Sequence, residues 1–114
     1  MTIAVEVDWK PAAAHLAKAE NDCWIVPDIA PDVAALPFRK IGIVGAGTMG
    51  GGIAMNFANA GLPVTIVETR RDALDRGLAV VRRNYENSAR RGRFSVEEAQ
   101  ARFARLTGTL LIED

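Results

Sequence analysis

The sequence predicts an α/β fold, the N-terminal half of a doubly wound parallel sheet. Three observations predict it. Two short β-branched runs, Ile41 to Val44 and Val64 to Val67, flank a stretch with helical spacing from Thr48 to Asn59. A glycine-rich turn joins the first run to that stretch. Two further helical stretches then precede another apolar run, so strand and helix alternate as in a parallel sheet with right-handed crossovers.

The elements follow in order. Ile3, Val5 and Val7 alternate with Ala4, Glu6 and Asp8, a weak strand pattern. Pro11 to Glu20 reads as a short helix with proline in its first turn. Pro27 to Pro37 holds three prolines in eleven residues and cannot continue a helix. It reads as a linker, which places residues 1–37 in an N-terminal arm and residues 38–114 in a partial sheet domain.

Ile41-Gly42-Ile43-Val44 is a continuous apolar run ended by glycines, the pattern of a strand buried on both faces. Met49, Ile53 and Phe57 recur at helical spacing, and Gly61 is the expected stop. Val64 to Val67 is the second strand. A second helix begins near Asp72, where Thr69 and Asp72 have the spacing of a capping box, and runs to about Arg91 before Gly92. Ser95-Val96-Glu97-Glu98 is a clearer capping box opening a third helix. Thr109 to Ile112 is the expected third strand.

Composition narrows the function classes. The 114 residues allow one domain at most. Fourteen basic residues balance fourteen acidic ones, which argues against a dedicated nucleic-acid binder. One cysteine, Cys23, and one histidine, His15, can form neither an internal disulfide nor a four-ligand zinc site. No apolar run is long enough to span a bilayer, and the acidic N-terminus is unlike a secretory signal. A soluble, cytoplasmic protein without a membrane partner is the expectation.

Gly45-Ala46-Gly47-Thr48-Met49-Gly50 is a G-x-G-x-x-G. It follows an expected strand, opens an expected helix, and is followed by an acidic residue, Glu68, at the end of the next strand. Gly45 permits a tight turn, Gly47 a close approach to a diphosphate, and Gly50 a close helix–strand contact. The first helix amides lack intrahelical acceptors and, with the helix dipole, form an anion site. Glu68 can accept hydrogen bonds from ribose hydroxyls and repels a 2′-phosphate, which favours NAD over NADP. Arg70 and Arg71 weaken that preference, and Arg70 can equally lie over an adenine face. Gly50, Gly51 and Gly52 together cost a helix about 1 kcal/mol each relative to alanine, which points to close approach by something.

The segment Gly42 to Met55 closely resembles the start of the NAD-binding Rossmann domain of 3-hydroxyacyl-CoA dehydrogenases, as found within multifunctional fatty-acid β-oxidation enzymes. The likeness continues through Asn56 to Gly61, Val64 to Glu68, Ala73 to Leu78, Asn84-Tyr85-Glu86 and Arg90-Arg91-Gly92. The resemblance implies NAD-dependent oxidation of an (S)-3-hydroxyacyl-CoA to the 3-ketoacyl-CoA. With the motif, it makes Gly45, Ala46, Gly47, Thr48, Met49, Gly50, Glu68 and Arg70 the candidate cofactor-binding residues. It also implies that the helices around Arg82 to Arg93 lie near the CoA moiety. In the resembling family the catalytic His–Glu pair lies further along the chain than Asp114, so no catalytic residue is assigned here. The chain is expected to be a truncated portion of such an enzyme, inactive by itself.

Two readings stay open for several features. The seven arginines from Arg82 to Arg105 are either a solvated helical face or an attractor of CoA phosphates. A stand-alone nucleotide-binding or protein-interaction module competes with the dehydrogenase reading. A β-hydroxyacid or 6-phosphogluconate type of dehydrogenase shares the glycine motif, but Glu68 and Asn84-Tyr85-Glu86 count against it. Half a sheet leaves Ile41 to Val44 with an open edge, so marginal stability, self-association or a need for the remainder of the sheet is expected.

Overall fold

The computed structural model describes residues 6–113. By its internal contacts the chain divides into two units, Met1–Leu36 and Pro37–Asp114.

The first unit holds one helix, α1 (Lys10–Asp22), with Pro11 in its first turn, where a missing N–H costs nothing. It is longer than the expected stretch by a residue at one end and two at the other. None of its residues is buried, and Lys18 pairs with Asp22 along its surface. Ile3, Ala4 and Val5 of the expected strand lie outside the described residues, and Glu6 to Asp8 form no strand. The proline-rich segment makes two successive turns, closed by Ile29 N–H to the Val26 carbonyl and Val33 N–H to the Ala30 carbonyl, both 3.1 Å.

The second unit contains β1 (Ile41–Val44), α2 (Thr48–Asn59), β2 (Val64–Val67), α3 (Arg71–Arg90), α4 (Val96–Phe103) and β3 (Leu106–Thr109). The strands form a parallel sheet in the order β1-β2-β3, with Ile41 opposite Val64 and Val64 opposite Leu106. β-branched residues favour these short strands, and the helical crossovers return the chain in the same direction.

Alternation of side chains gives the sheet two unlike faces. Ile41, Ile43, Val64, Ile66 and Leu106 face a core completed by Ala54 and Ala58 of α2 and Leu74 and Leu78 of α3. Gly108 sits beneath α3, and a β-carbon there would come within 2.9 Å of Leu74 and Leu78. On the other face, Gly42, Val44, Thr65, Val67, Thr107 and Thr109 are all at least partly exposed. The expectation that Ile41 to Val44 is buried on both faces is therefore corrected. Its exposure alternates, and Val44 is 80 % exposed, because α2 and α3 pack on the opposite face.

The third strand is also displaced from expectation. It runs from Leu106 to Thr109, and Leu110 to Ile112 lie exposed beyond it. Val64 N–H bonds to the Arg105 carbonyl at 2.9 Å, so the pairing with β2 begins directly after α4.

Ser95 caps α4 as its spacing indicated, accepting from Glu98 N–H at 3.1 Å. The Thr69 capping box does not form. Arg70 is the N-cap of α3 without a side-chain cap bond, and the Thr69 hydroxyl donates to Glu68 instead. Tyr85 of α3 is buried beside Val81 and Ala99, and its hydroxyl donates to Asn59 Oδ1 at 3.0 Å and to the Met55 carbonyl at 3.3 Å. Arg105 donates to the Ala58 carbonyl at 3.0 Å, which also accepts from Gly61 N–H at 3.1 Å at the end of α2.

Candidate functional site

The site lies where β1 becomes α2. Gly45 N–H donates to the Val67 carbonyl at 2.8 Å, extending the ladder by one bond. The chain then turns at Gly45 with φ +100°, a conformation that L side chains rarely adopt. Gly47 is the N-cap of α2 in an extended conformation, with no side-chain cap. The first amides of α2 thus have neither an intrahelical acceptor nor a side-chain acceptor, and the helix dipole adds partial positive charge at the same place. Nothing lies within 4 Å of a β-carbon built at Gly47, so space is open above the turn.

Gly50 fills the role expected of it. A β-carbon there would come within 2.2 Å of the Gly45 carbonyl oxygen and 3.5 Å of Ile43 Cγ2. Gly51 lies against α3, where a β-carbon would meet Val81 Cγ2 at 3.2 Å. Gly52 has open space around it. The glycine run therefore answers to strand packing at Gly50 and helix packing at Gly51, and to neither at Gly52.

Glu68 follows β2 and reaches back to the turn. Its Oε2 accepts from Ala46 N–H at 3.1 Å, and its Oε1 accepts from Thr69 N–H at 2.8 Å. The Ala46 amide first, and the Thr69 amide second, hold its carboxyl below the ordinary glutamate pKa. Glu68 is consequently ionised at neutral pH and has acceptor capacity left over, since a carboxylate offers about four lone-pair sites.

The remaining candidates fall in unlike surroundings. Thr48 and Met49 are exposed on the first turn of α2, Met49 at 79 %. Ala46 is 6 % exposed, and its N–H is already engaged by Glu68. Arg70 is tied to Asp72 through Nε at 3.0 Å and Nη2 at 2.6 Å, and Arg76 reaches the same carboxylate at 3.0 Å. A cleft of about 410 Å³ runs from the turn along α3, lined by Ala46, Thr48, Glu68, Arg76, Gly77 and Asn84 among others. Sequence reasoning had not given Arg76 or Gly77 a part in this cleft. The four-residue separation of Arg76 from Asp72 was the available signal for Arg76, and no local signal pointed to Gly77.

The arginine-rich hairpin divides its charges between packing and solvent. Arg82 lies 4.7 Å over the Phe103 ring and Arg102 lies 4.5 Å over Phe94. Arg102 also donates to Glu98 at 2.8 Å. With Arg105 at the end of α2, three of the seven thus serve the fold.

A turn with positive φ, uncapped helix amides, open space over Gly47 and a carboxylate at the tip of the next strand together fit a dinucleotide. The family model described as 3-hydroxyacyl-CoA dehydrogenase, NAD binding domain, matches residues 40–114. The chain belongs to this family. The 3-hydroxyacyl-CoA dehydrogenase domain accounts for the parallel sheet and for NAD as the cofactor.

The fatty acid oxidation complex subunit alpha of Idiomarina loihiensis is 33 % identical over 78 residues, covering 68 % of this chain and 11 % of the relative. The peroxisomal bifunctional enzyme of Cavia porcellus is 34 % identical over 82 residues, covering 70 % of this chain and 11 % of the relative. The crystal structure of (S)-3-hydroxybutyryl-CoA dehydrogenase PaaH1 from Ralstonia eutropha superposes with a TM-score of 0.63 at 33 % identity, over 66 % of this chain and 26 % of that one. The chain spans about a tenth of the length of these curated relatives and about a quarter of the solved one. Among the described residues, no helix is long and apolar enough to cross a membrane.

Proposed function

We propose that this chain is the cofactor-binding portion of an enzyme that oxidises an (S)-3-hydroxyacyl-CoA to the 3-ketoacyl-CoA in fatty-acid β-oxidation. The likeness to a fatty acid oxidation complex subunit and to an (S)-3-hydroxybutyryl-CoA dehydrogenase supports that reaction class. The observation that carries the site assignment is the meeting of three features at one end of the sheet: the Gly45 turn, the uncapped start of α2, and the Glu68 carboxylate.

NAD bound here supplies the hydride acceptor. The turn Gly45, Ala46, Gly47 and the α2 amides of Thr48, Met49 and Gly50 receive the diphosphate. Glu68 accepts from the adenosine ribose hydroxyls and disfavours a 2′-phosphate. Arg70, steered by Asp72, covers the adenine. No acid–base residue is assigned to this chain, whose one histidine, His15, lies on α1 among exposed residues. The CoA thioester substrate belongs to the complete enzyme, with Arg83, Arg90, Arg91 and Arg93 left to attract its phosphates.

A second reading has its own support. Among the described residues β1 pairs with β2 alone, and Val44 at its end is 80 % exposed. We assign this edge to self-association, with no nucleic acid or membrane as partner. The free thiol of Cys23 suits a reducing compartment, and we place the chain in the cytoplasm. Calorimetric titration with NAD and then NADP tests the main reading. NAD should bind the more tightly of the two. Equal affinities would remove the role given to Glu68, and no binding of either would remove the site.

A further inference from the structure

The Ala46 backbone is approached from two sides, at its N–H by Glu68 and at its carbonyl by Gly77. Its N–H donates to Glu68 Oε2 at 3.1 Å, a contact spanning 22 residues of sequence. Its carbonyl oxygen lies so near α3 that a β-carbon on Gly77 would come within 2.2 Å of it, and within 2.6 Å of Ala46 Cβ. Ala46 is buried, whereas Gly47, Thr48 and Met49 after it are exposed.

We propose that Gly77 and Glu68 act as a clamp on the Ala46 backbone, making Gly77 a positioning residue for the diphosphate-binding turn. The proposal rests on the site reading above for what the turn binds, but the clamp exists without ligand.

The physical argument starts from the turn. Glycines on both sides of Ala46 leave the backbone with wide conformational freedom. Ordering such a segment on ligand binding costs affinity, and fixing it beforehand removes that cost. Neither Gly45 nor Gly47 has a side chain with which to anchor the turn. Ala46 is therefore its only side-chain-bearing residue before α2, and its backbone is the point gripped.

Gly77 sits within the twenty-residue helix α3, where glycine costs about 1 kcal/mol relative to alanine. The three atoms that a β-carbon at Gly77 would meet first are all Ala46 atoms. Gly108 offers the contrast, since a β-carbon there would meet the side chains of Leu74 and Leu78 in the core. Gly77 lets helix backbone touch the turn, and Gly108 lets core side chains touch a strand.

Glu68 completes the grip. Thr69 donates to its Oε1 from N–H at 2.8 Å and from Oγ1 at 3.2 Å. Three donors fix the carboxylate before any ribose arrives. One rigid unit then presents both the ribose acceptor and the amides for the diphosphate.

The test uses the full chain, 15N-labelled, with 2′,3′-dideoxyadenosine diphosphate as the probe. This nucleotide has the diphosphate but no ribose hydroxyl for Glu68 to read. Gly77→Ala should shift the turn amides in the ligand-free protein and weaken the probe by about tenfold or more, since backbone must move to admit the methyl group. Glu68→Gln should shift the Ala46 amide and speed its hydrogen exchange. It should also weaken the probe, although it removes a negative charge near an anion. Probe affinity unchanged within about twofold in Gly77→Ala, or an Ala46 amide indifferent to Glu68→Gln, overturns the clamp. If Gly77→Ala fails to fold, the Ala46 amide in Glu68→Gln decides alone. If the wild-type chain binds neither NAD nor the probe, the dinucleotide reading fails, while the ligand-free amide shifts still decide the clamp.

Discussion

The two faces of one three-stranded sheet behave as different materials. On one face Val64, Ile66 and Leu74 are at most 1 % exposed, and helices α2 and α3 close over them. On the other face Val44 is 80 % exposed, and Thr65, Thr107 and Thr109 stand on that same face with Val67. The turn that forms the site springs from the packed face, since Ala46 belongs to the same cluster as Val64 and Ile66. The packed core and the proposed cofactor site thus share one face, and the β1 edge proposed for association ends at the exposed Val44 of the other.

The largest expected effect is on the packed face. Leu74→Ala should cost about 2–5 kcal/mol in chemical denaturation, because the fully buried side chain leaves a cavity. A loss under about 0.5 kcal/mol, the range of surface changes, would mean the two faces are not energetically distinct.

Next comes Gly50→Ala. The added methyl must displace the Gly45 carbonyl, so NAD affinity should fall by about tenfold or more, measured by calorimetry on folded protein. Unaltered affinity would detach the turn's geometry from binding.

Tyr85→Phe removes a hydroxyl bonded to Asn59 and Met55 and should cost about 1 kcal/mol, read from the shift in urea midpoint.

Acid should act on the packed unit through its carboxylates. Arg102 lowers the pKa of Glu98, and the Ala46 and Thr69 amides lower that of Glu68. Each lowered carboxyl contributes stability that is present above its ordinary value of 4.5 and is lost as pH falls below that toward the folded value. Melting temperature should therefore drop on acidification through this window, and less so in Glu98→Gln. Because both side chains are partly open to solvent, the effect is small.

The smallest stability effect belongs to the bare face. Val44→Lys should leave the denaturation midpoint within about 0.5 kcal/mol. Light scattering should show it less associated than wild type at equal concentration. An unchanged association state would relieve the β1 edge of its assigned role.

Much of this contrast was legible in the chain. Gly45, Gly50 and Glu68 mark the proposed site in the sequence because the turn's backbone geometry demands the two glycines and an acid ends the second strand. Ser95 announces α4 because its partner, Glu98, is three residues away. The misses came from long-range packing. Leu110 to Ile112 is more apolar than Leu106 to Thr109, yet β3 is set by its register with Val64 and by the fit of Gly108 beneath Leu74 and Leu78. Thr69 has capping-box spacing, but a carboxylate beside it took its hydroxyl. Ile41 to Val44 reads as doubly buried because composition cannot say on how many faces helices pack. Gly77 lies 31 residues from Ala46, and no local pattern links the two.

The central claim is that a dinucleotide diphosphate seats on the turn at the start of α2. Titrating NAD into the 15N-labelled chain and mapping amide shifts tests it most directly. The largest shifts should fall on residues 45–50 and 68. Saturable binding whose shifts fall elsewhere, or no shifts at all in folded protein, would contradict it.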